Sequence, residues 1–268
     1  MYALALEDLT EAAALFRPEW EQTEGVDGYV SLEVPPDVAY DAAATVALAR
    51  RLHDQADFPN LLVKIPGTPQ GLTAMEEDPL KPEELDREYI TSAAYLHLDG
   101  YHCEAALQAA HWMRQAGKKV VMDAAKAVGD VWKVIDELVE ATDILICGSG
   151  LAQTLTGVAD FWQAAEAVRR LGPQIVVQTE GEQGSNTATA TEQFHTPAFK
   201  VDVVDTTGAG DVFHGAYLFG LVQGWDLARI ARFASATAAF KCMHLGGRAG
   251  SPRYNEVQEF LHKQGNHL

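Results

Sequence analysis

The chain has 268 residues, of which 20 are basic and 38 acidic, and its net charge at neutral pH is −18. Such a charge repels nucleic acids and anionic membranes, so neither is expected as a partner. With 47% hydrophobic and 22% charged residues, the composition is that of a globular protein long enough for one large α/β domain or two small ones.

The N-terminal segment and the cysteines both indicate a reducing compartment. The segment MYALALEDLTEAAALF has no basic region and carries acidic residues at Glu7, Asp8 and Glu11, which fits neither a secretory nor a mitochondrial signal. The three cysteines are odd in number and widely spaced, unlike a disulfide framework or a zinc site. We therefore expect a cytoplasmic protein whose cysteines are small apolar core residues.

The first part of the chain predicts alternating helices and strands. The apolar periodicity indicates, in order, helix 9–21, strand 28–34, helix 37–54, strand 60–68 and helix 70–77. Such alternation predicts parallel strands. The next segment, EEDPLKPEELDRE (76–88), is acidic and contains two prolines, so it is a candidate linker; a charged helix start is the alternative.

The same alternation resumes beyond this segment. The predicted elements are strand 95–100, helix 104–115, strand 118–124, helix 128–140, strand 143–149, helix 160–171 and strand 174–180. A Thr-rich β excursion at 184–199 follows, and then only helices, at 211–221, 226–243 and 254–263. The pattern predicts an open, mainly parallel sheet with helices on both faces.

The string VVDTTGAGDVFHGAYLFG joins a strand-like run to a helix that opens at Gly210 or Asp211. The N–H groups of Gly208, Ala209, Gly210 and Asp211 can converge at the helix N-terminus, where the helix dipole also favours an anion. The Asp211 carboxylate stands where it could accept the proton of an attacking hydroxyl. The alternative is a plain helix cap, with Asp as a first-turn residue and Gly for the turn.

DTTGAGD followed by an aromatic and a small-residue helix resembles the second signature of the ribokinase/PfkB family. The resemblance implies phosphorylation of a sugar or sugar-phosphate hydroxyl by ATP, with Asp211 as the catalytic base. It also implies that Gly208, Ala209 and Gly210 form the anion hole. AAFKCMHLGGRAG (238–250) is similar to the C-terminal end of that family, near the adenine pocket.

QTEGEQG (178–184) resembles the strand-end motif that the family places near the nucleotide, and Thr179, Gly181 and Gly184 match it. A hydroxyl and flexible glycines at the end of a strand suit a nucleotide crevice; a β-turn is the alternative. Asp99 and the Asp of VVMDAAK, Asp123, fall on the family's central strands. Asp99 either faces the substrate crevice or caps the next helix.

Two features depart from the family pattern. Gly148 and Leu151 stand where the family has an Asn and a Glu that serve Mg²⁺ and its waters, so the metal ligands are unknown. We expect Mg²⁺ to arrive mainly on the ATP phosphates. The first Gly-Gly signature, the sugar-binding strands and the β lid of the family have no counterpart, so the acceptor sugar cannot be named.

The N-terminal part resembles a different family. DGYVSLEVPPDVAYD (27–41) and FPNLLVKIPGTPQGLTAMEE (58–77) look like the middle of a transaldolase barrel. The resemblance implies Lys64 as a Schiff-base lysine and Glu33 as the residue that manages the catalytic water. A lysine in the apolar strand LLVKI would be desolvated, which favours the neutral amine. The alternative is a salt bridge or a lysine at a strand end that reaches solvent.

The sequence thus predicts a fusion: residues 1–77 as a transaldolase-like βα fragment, partial TIM-barrel-like; 78–88 as a linker; and 89–268 as a ribokinase-like kinase domain. The expected function is that of an ATP-dependent carbohydrate kinase acting on a small-molecule sugar. Two alternatives stay open, a nucleotide-binding but inactive fusion protein and a Schiff-base enzyme that uses Lys64. The resemblance also leaves a homodimer open.

Overall fold

A computed structural model of the chain describes residues 2–23, 27–56, 58–66, 68–76, 80–100, 102–124, 132–247 and 250–265. It divides into two compact units, Met1–Leu80 and Lys81–Leu268. Residues 78 and 79 of the predicted linker lie outside the described residues, and residues from 81 onward belong to the second unit. There, Pro82–Glu84 forms a 3-10 helix.

The first unit alternates helices and strands as predicted. Its elements are α1 (Tyr2–Gln22), β1 (Val30–Glu33), α2 (Ala42–Ala56), β2 (Leu61–Lys64) and α3 (Pro69–Glu76). The two strands are parallel, with Val30 opposite Leu61. A small core of Ala13, Val30, Ala56 and Leu61 packs between helices and strands. The buried Asn60 side chain donates to two backbone carbonyls, which ties β2 to the preceding segments.

The second unit contains a six-stranded sheet in which chain order and spatial order coincide. The strands are β3 (Tyr95–Leu98), β4 (Lys119–Ala124), β5 (Ile144–Cys147), β6 (Ile175–Thr179), β7 (Ser185–Ala188) and β8 (Gln193–Thr196). β3 to β6 are parallel, whereas β7 and β8 form antiparallel hairpins. The Thr-rich β excursion is therefore these two strands. Because β3 to β6 are parallel, their carboxyl ends meet at one edge.

Helices cover both faces of this sheet. They are α4 (Arg87–Ser92), α5 (Cys103–Gln115), α6 (Trp132–Glu140), α7 (Leu151–Thr156), α8 (Phe161–Leu171), α9 (Ala209–Val222), α10 (Leu227–Cys242) and α11 (Tyr254–Lys263). One core joins the sheet to α8, and the opposite core joins it to α9, α10 and α11. The predicted open sheet with helices on both faces is confirmed.

The elements that the sequence did not predict are short. α4 and α7 have six residues each, too few to show helical periodicity. α4 is recognisable by its cap, because the Asp86 carboxylate accepts a hydrogen bond of 3.0 Å from the Tyr89 amide. The first turn of the helix predicted at 128–140 lies outside the described residues, which resume at Trp132.

Within the described part of the chain, no helix combines the length and apolar character needed to cross a membrane. The cysteines are free thiols. Cys147 is fully buried, and burial raises its pKa to about 12, so it behaves as a small core residue. Cys103 and Cys242 are half-buried.

Candidate active site

The predicted anion hole lies where a tight turn leads into α9. Gly208 caps the helix in the left-handed region, with φ of 76°. A Cβ at this position would lie 2.7 Å from the carbonyl oxygen of Gly247, so only glycine fits both the dihedral angle and the space. The turn is closed by a 3.0 Å hydrogen bond from the Ala209 amide to the carbonyl of Thr206.

The amides of Gly210 and Asp211 precede the first intrahelical hydrogen bond of α9, which runs from Val212 to the Gly208 carbonyl over 3.0 Å. They therefore have no acceptor inside the helix. A Cβ added to Gly210 would meet no atom within 4 Å among the described residues, so the space beside this turn is open. An open space next to helix N-terminal donors suits a phosphate. The Ala209 amide is also expected in the anion hole, but it already donates a hydrogen bond to the Thr206 carbonyl.

Asp205 holds the turn in place. Its carboxylate accepts hydrogen bonds from the amides of Thr207, at 2.9 Å, and Gly246, at 2.7 Å. These bonds, those from Thr207 foremost, lower the pKa of Asp205 to about 2. The fully buried Lys241 donates from Nζ to the Asp205 carbonyl over 2.9 Å. The loop before α9 is thereby joined to the end of α10 and to the loop that follows it.

Asp211 is exposed in the first turn of α9. It lies near enough to Asp123, at the carboxyl end of β4, for its charge to act on that carboxyl. Burial raises the pKa of Asp123, at that end, to about 6, and the nearby charges of Asp211 and Asp99 contribute to the rise. Asp123 also contacts His214, one turn along α9, at 3.3 Å between Oδ1 and Nε2. The carboxylates of Asp99, Asp123 and Asp211 thus lie near one another at one edge of the sheet, close enough for their charges to interact.

The glycine motif lies at the end of β6, in a turn that leads into β7. The Thr179 hydroxyl donates to the Cys147 carbonyl over 3.3 Å. Gly181 and Gly184 have φ of 54° and 99°, and a Cβ on Gly184 would lie 2.0 Å from a backbone oxygen. Gly184 is therefore required by the turn itself. Because β6 is two strands from β4, this turn lies about 10 Å along the same edge from Asp123.

Residues 71–253, well over half of the chain, match the family model of pfkB family carbohydrate kinases. The chain belongs to the pfkB carbohydrate kinase family. Residues 1–79 match the model of the transaldolase/fructose-6-phosphate aldolase family, so the predicted combination of the two families is confirmed.

The curated relatives of this pfkB family member reflect both parts. A transaldolase from Thiobacillus denitrificans is 35% identical over 181 residues, which are 66% of this chain and 46% of the relative. An aminoimidazole riboside kinase from Salmonella typhimurium is 34% identical over 171 residues, which are 59% of this chain and 53% of the relative. The chain spans about half the length of each of these relatives.

Solved structures agree with the fold of a pfkB family kinase. A ribokinase II from E. coli, in complex with ATP and Mg²⁺, has a TM-score of 0.67 at 19% identity, over 88% of this chain and 82% of that one. The ribokinase of Arabidopsis thaliana, complexed with ribose and ATP, has a TM-score of 0.59 at 28% identity, over 66% of this chain and 58% of that one.

The structure also shows what occupies the positions of the two missing family residues. Leu151 is fully buried at the start of α7, and Gly148 follows β5. Near them, the Ser149 hydroxyl donates a hydrogen bond to the Glu180 carboxylate. That carboxylate also accepts a hydrogen bond of 2.6 Å from Gln178 Nε2. The described residues contain no group of three His, Cys, Asp or Glu side chains arranged to hold a metal. They do not fit a metal site made by the protein alone.

Lys64 and Glu33, the two residues that match transaldolases, face each other across the β1–β2 pair. Lys64 Nζ lies 3.2 Å from Glu33 Oε2, and the two side chains are 64% and 49% exposed. The expected desolvation of Lys64 is therefore wrong, because the side chain leaves the apolar strand and ends in solvent. The contact is the exposed salt bridge that the sequence left as the alternative.

Three residues of this region carry no motif that marks them as site residues in the sequence: His214, Lys241 and Glu180. His214 could have been found by its spacing, since residues three apart lie on the same side of a helix and Asp211 is three residues earlier. For Asp123 the sequence predicts a position on a central strand but no role. No sequence signal marks Lys241, whose ammonium reaches Asp205 only because α10 packs beside α9.

Proposed function

We propose that the protein is an ATP-dependent carbohydrate kinase with Asp211 as its general base. The observation that carries the proposal is the first turn of α9, where amides without helical acceptors, an open space and a carboxylate occur together. Membership of the pfkB family supports the same reaction. ATP would supply the phosphoryl group, and Mg²⁺ carried on its phosphates would neutralise part of their charge.

The residues of the site suit this reaction. The amides of Gly210 and Asp211, with that of Gly208 beside them, donate hydrogen bonds to the phosphoryl oxygens as negative charge develops there. Asp211 accepts the proton of the attacking sugar hydroxyl. In this proposal Ala209 contributes to the turn rather than to the oxyanion contacts, because its amide donates to Thr206.

The turn at the end of β6 is the proposed nucleotide side of the site. Thr179, Gly181 and Gly184 shape a backbone bend at the carboxyl edge of the sheet, where open α/β sheets bind nucleotides. In our proposal the bend borders the ATP phosphates and ribose. The Glu180 carboxylate, held by Ser149 and Gln178, faces the same edge.

The proposal is tested by measuring ATP consumption by the purified protein with a panel of sugars and sugar phosphates. We expect sugar-dependent turnover, and a loss of about 10²–10⁴-fold in kcat for Asp211→Asn, because that change removes the base. Asp202→Asn, at an exposed position outside the site, is the matched control and should keep full activity.

A second candidate is an inactive nucleotide-binding fusion protein, which the coverage of only about half of the curated kinase relative favours. It predicts that the unaltered protein binds an ATP analogue but consumes no ATP with any sugar. A Schiff-base enzyme would instead allow borohydride to trap a ketose on Lys64; the exposed, paired state of Lys64 argues against it.

We further propose that the kinase acts in the cytoplasm on small-molecule sugars, with neither nucleic acid nor membrane as a partner. The net charge of −18 supports the two exclusions. Whether it forms a homodimer is decided by light scattering after size-exclusion chromatography.

A further inference from the structure

The strands β3 and β4 present a polar surface toward α9 that extends beyond the proposed base. Side chains alternate along a strand, so His97 and Asp99 lie on the same face as Tyr95, and Asp123 on the same face as Val121. Tyr95 and Val121 pack in the core below α9. The three polar residues therefore face the N-terminal part of that helix, at the carboxyl edge of the sheet.

His214 is the buried member of this surface. Its side chain is only 7% exposed, and its Nε2 points at Asp123 Oδ1 over 3.3 Å. Nδ1 is buried without a hydrogen-bond partner in the described part of the chain. Burial, with a smaller contribution from His97, lowers the pKa of His214 to about 4, so the ring is neutral at neutral pH. A neutral ring has one N–H, and in the tautomer that carries it on Nε2 this group can donate to the Asp123 oxygen 3.3 Å away.

The contact with His214 occupies one side of the Asp123 carboxylate. The side chain is 24% exposed, so part of it still reaches solvent. A carboxylate has about four lone-pair positions, and a single N–H donor leaves most of them available. Asp123 is thus a half-buried hydrogen-bond acceptor. Its contact with His214 fixes its orientation, and the carboxylate stays accessible on the side of Asp211.

We propose that His214 and Asp123 form a positioning pair, in which Asp123 accepts a hydrogen bond from a second hydroxyl of the acceptor and thereby holds it beside Asp211. The inference rests on the proposed kinase function for the role of Asp211. Asp123 touches the substrate in this arrangement, whereas His214 acts through Asp123.

The charges around the pair indicate the chemical class of the acceptor. The titratable groups that face Asp123 among the described residues are His97, Asp99, Cys147, Asp211 and His214. Burial, Asp211 and Asp99 all raise the pKa of Asp123, and no positive charge counteracts them among these groups. A phosphate or carboxylate on this part of the acceptor would be repelled. The acceptor at this edge is therefore an uncharged polyhydroxy compound, not a sugar phosphate.

The test measures direct binding, with a non-hydrolysable ATP analogue present. The probes are D-ribose and D-fructose, each compared with its phosphate ester. Binding of each probe is measured by saturation-transfer NMR and by calorimetry. We expect the uncharged sugars to bind more tightly than their esters, and Asp123→Asn to weaken sugar binding by about tenfold or more, as expected for loss of a charged acceptor. His214→Gln keeps a donor near the position of Nε2 and should bind as the unaltered protein does; His214→Leu should match Asp123→Asn.

The dependence on pH supplies a readout that a structural role would not change. Because protonation removes the charge of Asp123, sugar affinity should fall as the pH drops through about 6, and Asp123→Asn should abolish this dependence. Circular dichroism confirms that each variant is folded. The inference is overturned if the unaltered protein binds neither sugar, if it prefers the phosphate esters, if Asp123→Asn binds equally well, or if His214→Gln loses as much affinity as His214→Leu.

Failure of the proposed kinase function has a different signature. Sugar binding that depends on Asp123 without any ATP turnover would leave the positioning pair standing and refute the kinase. The opposite result would be sugar-dependent turnover that Asp211→Asn abolishes, with a KM for the sugar that Asp123→Asn leaves unchanged. It would support the kinase and refute the positioning pair.

Discussion

Replacing Asp123 by Asn should stabilise the fold at alkaline pH, because the folded protein bears a cost for ionising this carboxyl. The pKa of Asp123 rises from 3.8 to about 6 on folding, chiefly through burial. Each pKa unit is worth about 1.4 kcal/mol, so ionised Asp123 destabilises the folded state by about 2–3 kcal/mol. The cost is complete above about pH 6, shrinks as the pH falls below 6, and is only about 0.5 kcal/mol at pH 4, close to the unfolded pKa of 3.8.

Urea unfolding measures this effect, followed by tryptophan fluorescence because four of the five tryptophans lie in the second unit. With a urea slope of about 2 kcal/mol per molar, Asp123→Asn should raise the midpoint by about 1–1.5 M at pH 8 and by a few tenths molar at most at pH 4. Both conditions avoid the isoelectric point of 4.8. Asp202→Asn, at an exposed position, is the control and should shift neither midpoint. Equal gains at the two pH values would refute the reasoning.

Three further predictions use the same unfolding assay. Folding lowers the pKa of His214 from 6.5 to about 4. Neutral His214 therefore corresponds to about 3 kcal/mol of folding stability that is present above pH 6.5 and lost as the pH falls toward 4. His214→Gln should remove this loss. Gly208→Ala should lower the free energy of unfolding by at least about 1–2 kcal/mol, because a Cβ is strained at φ of 76°. Gly210→Ala should instead stabilise α9 by about 0.5–1 kcal/mol. The same change should impair ATP turnover, because the added methyl group fills the anion space. Tyr217 is fully buried and its hydroxyl has no partner in the described region, so Tyr217→Phe should be neutral or stabilising by about 1 kcal/mol, and the exposed Tyr254→Phe should change little. A marked loss of stability in Tyr217→Phe would reveal a partner for that hydroxyl.

Much of the fold follows from periodicity alone. Apolar runs bounded by turn residues identify the strands of the main sheet, because buried parallel strands have no polar face to interrupt them. Helix α11 occurs at the predicted residues, Tyr254 to Lys263. The short helices α4 and α7 were missed for the opposite reason, since six residues are less than two turns.

The two family resemblances, the order of the elements and the turn at Gly208 to Asp211 can be read from the sequence, because each depends on residues that are neighbours in the chain. Which distant groups come together depends on how the elements pack. Asp123 reaches His214 because parallel pairing aligns the end of β4 with α9, and Lys241 reaches the Asp205 carbonyl because α10 packs beside α9. The exposure of Lys64 likewise could not be read from its apolar neighbours, since the environment of a strand residue depends on what packs against that face.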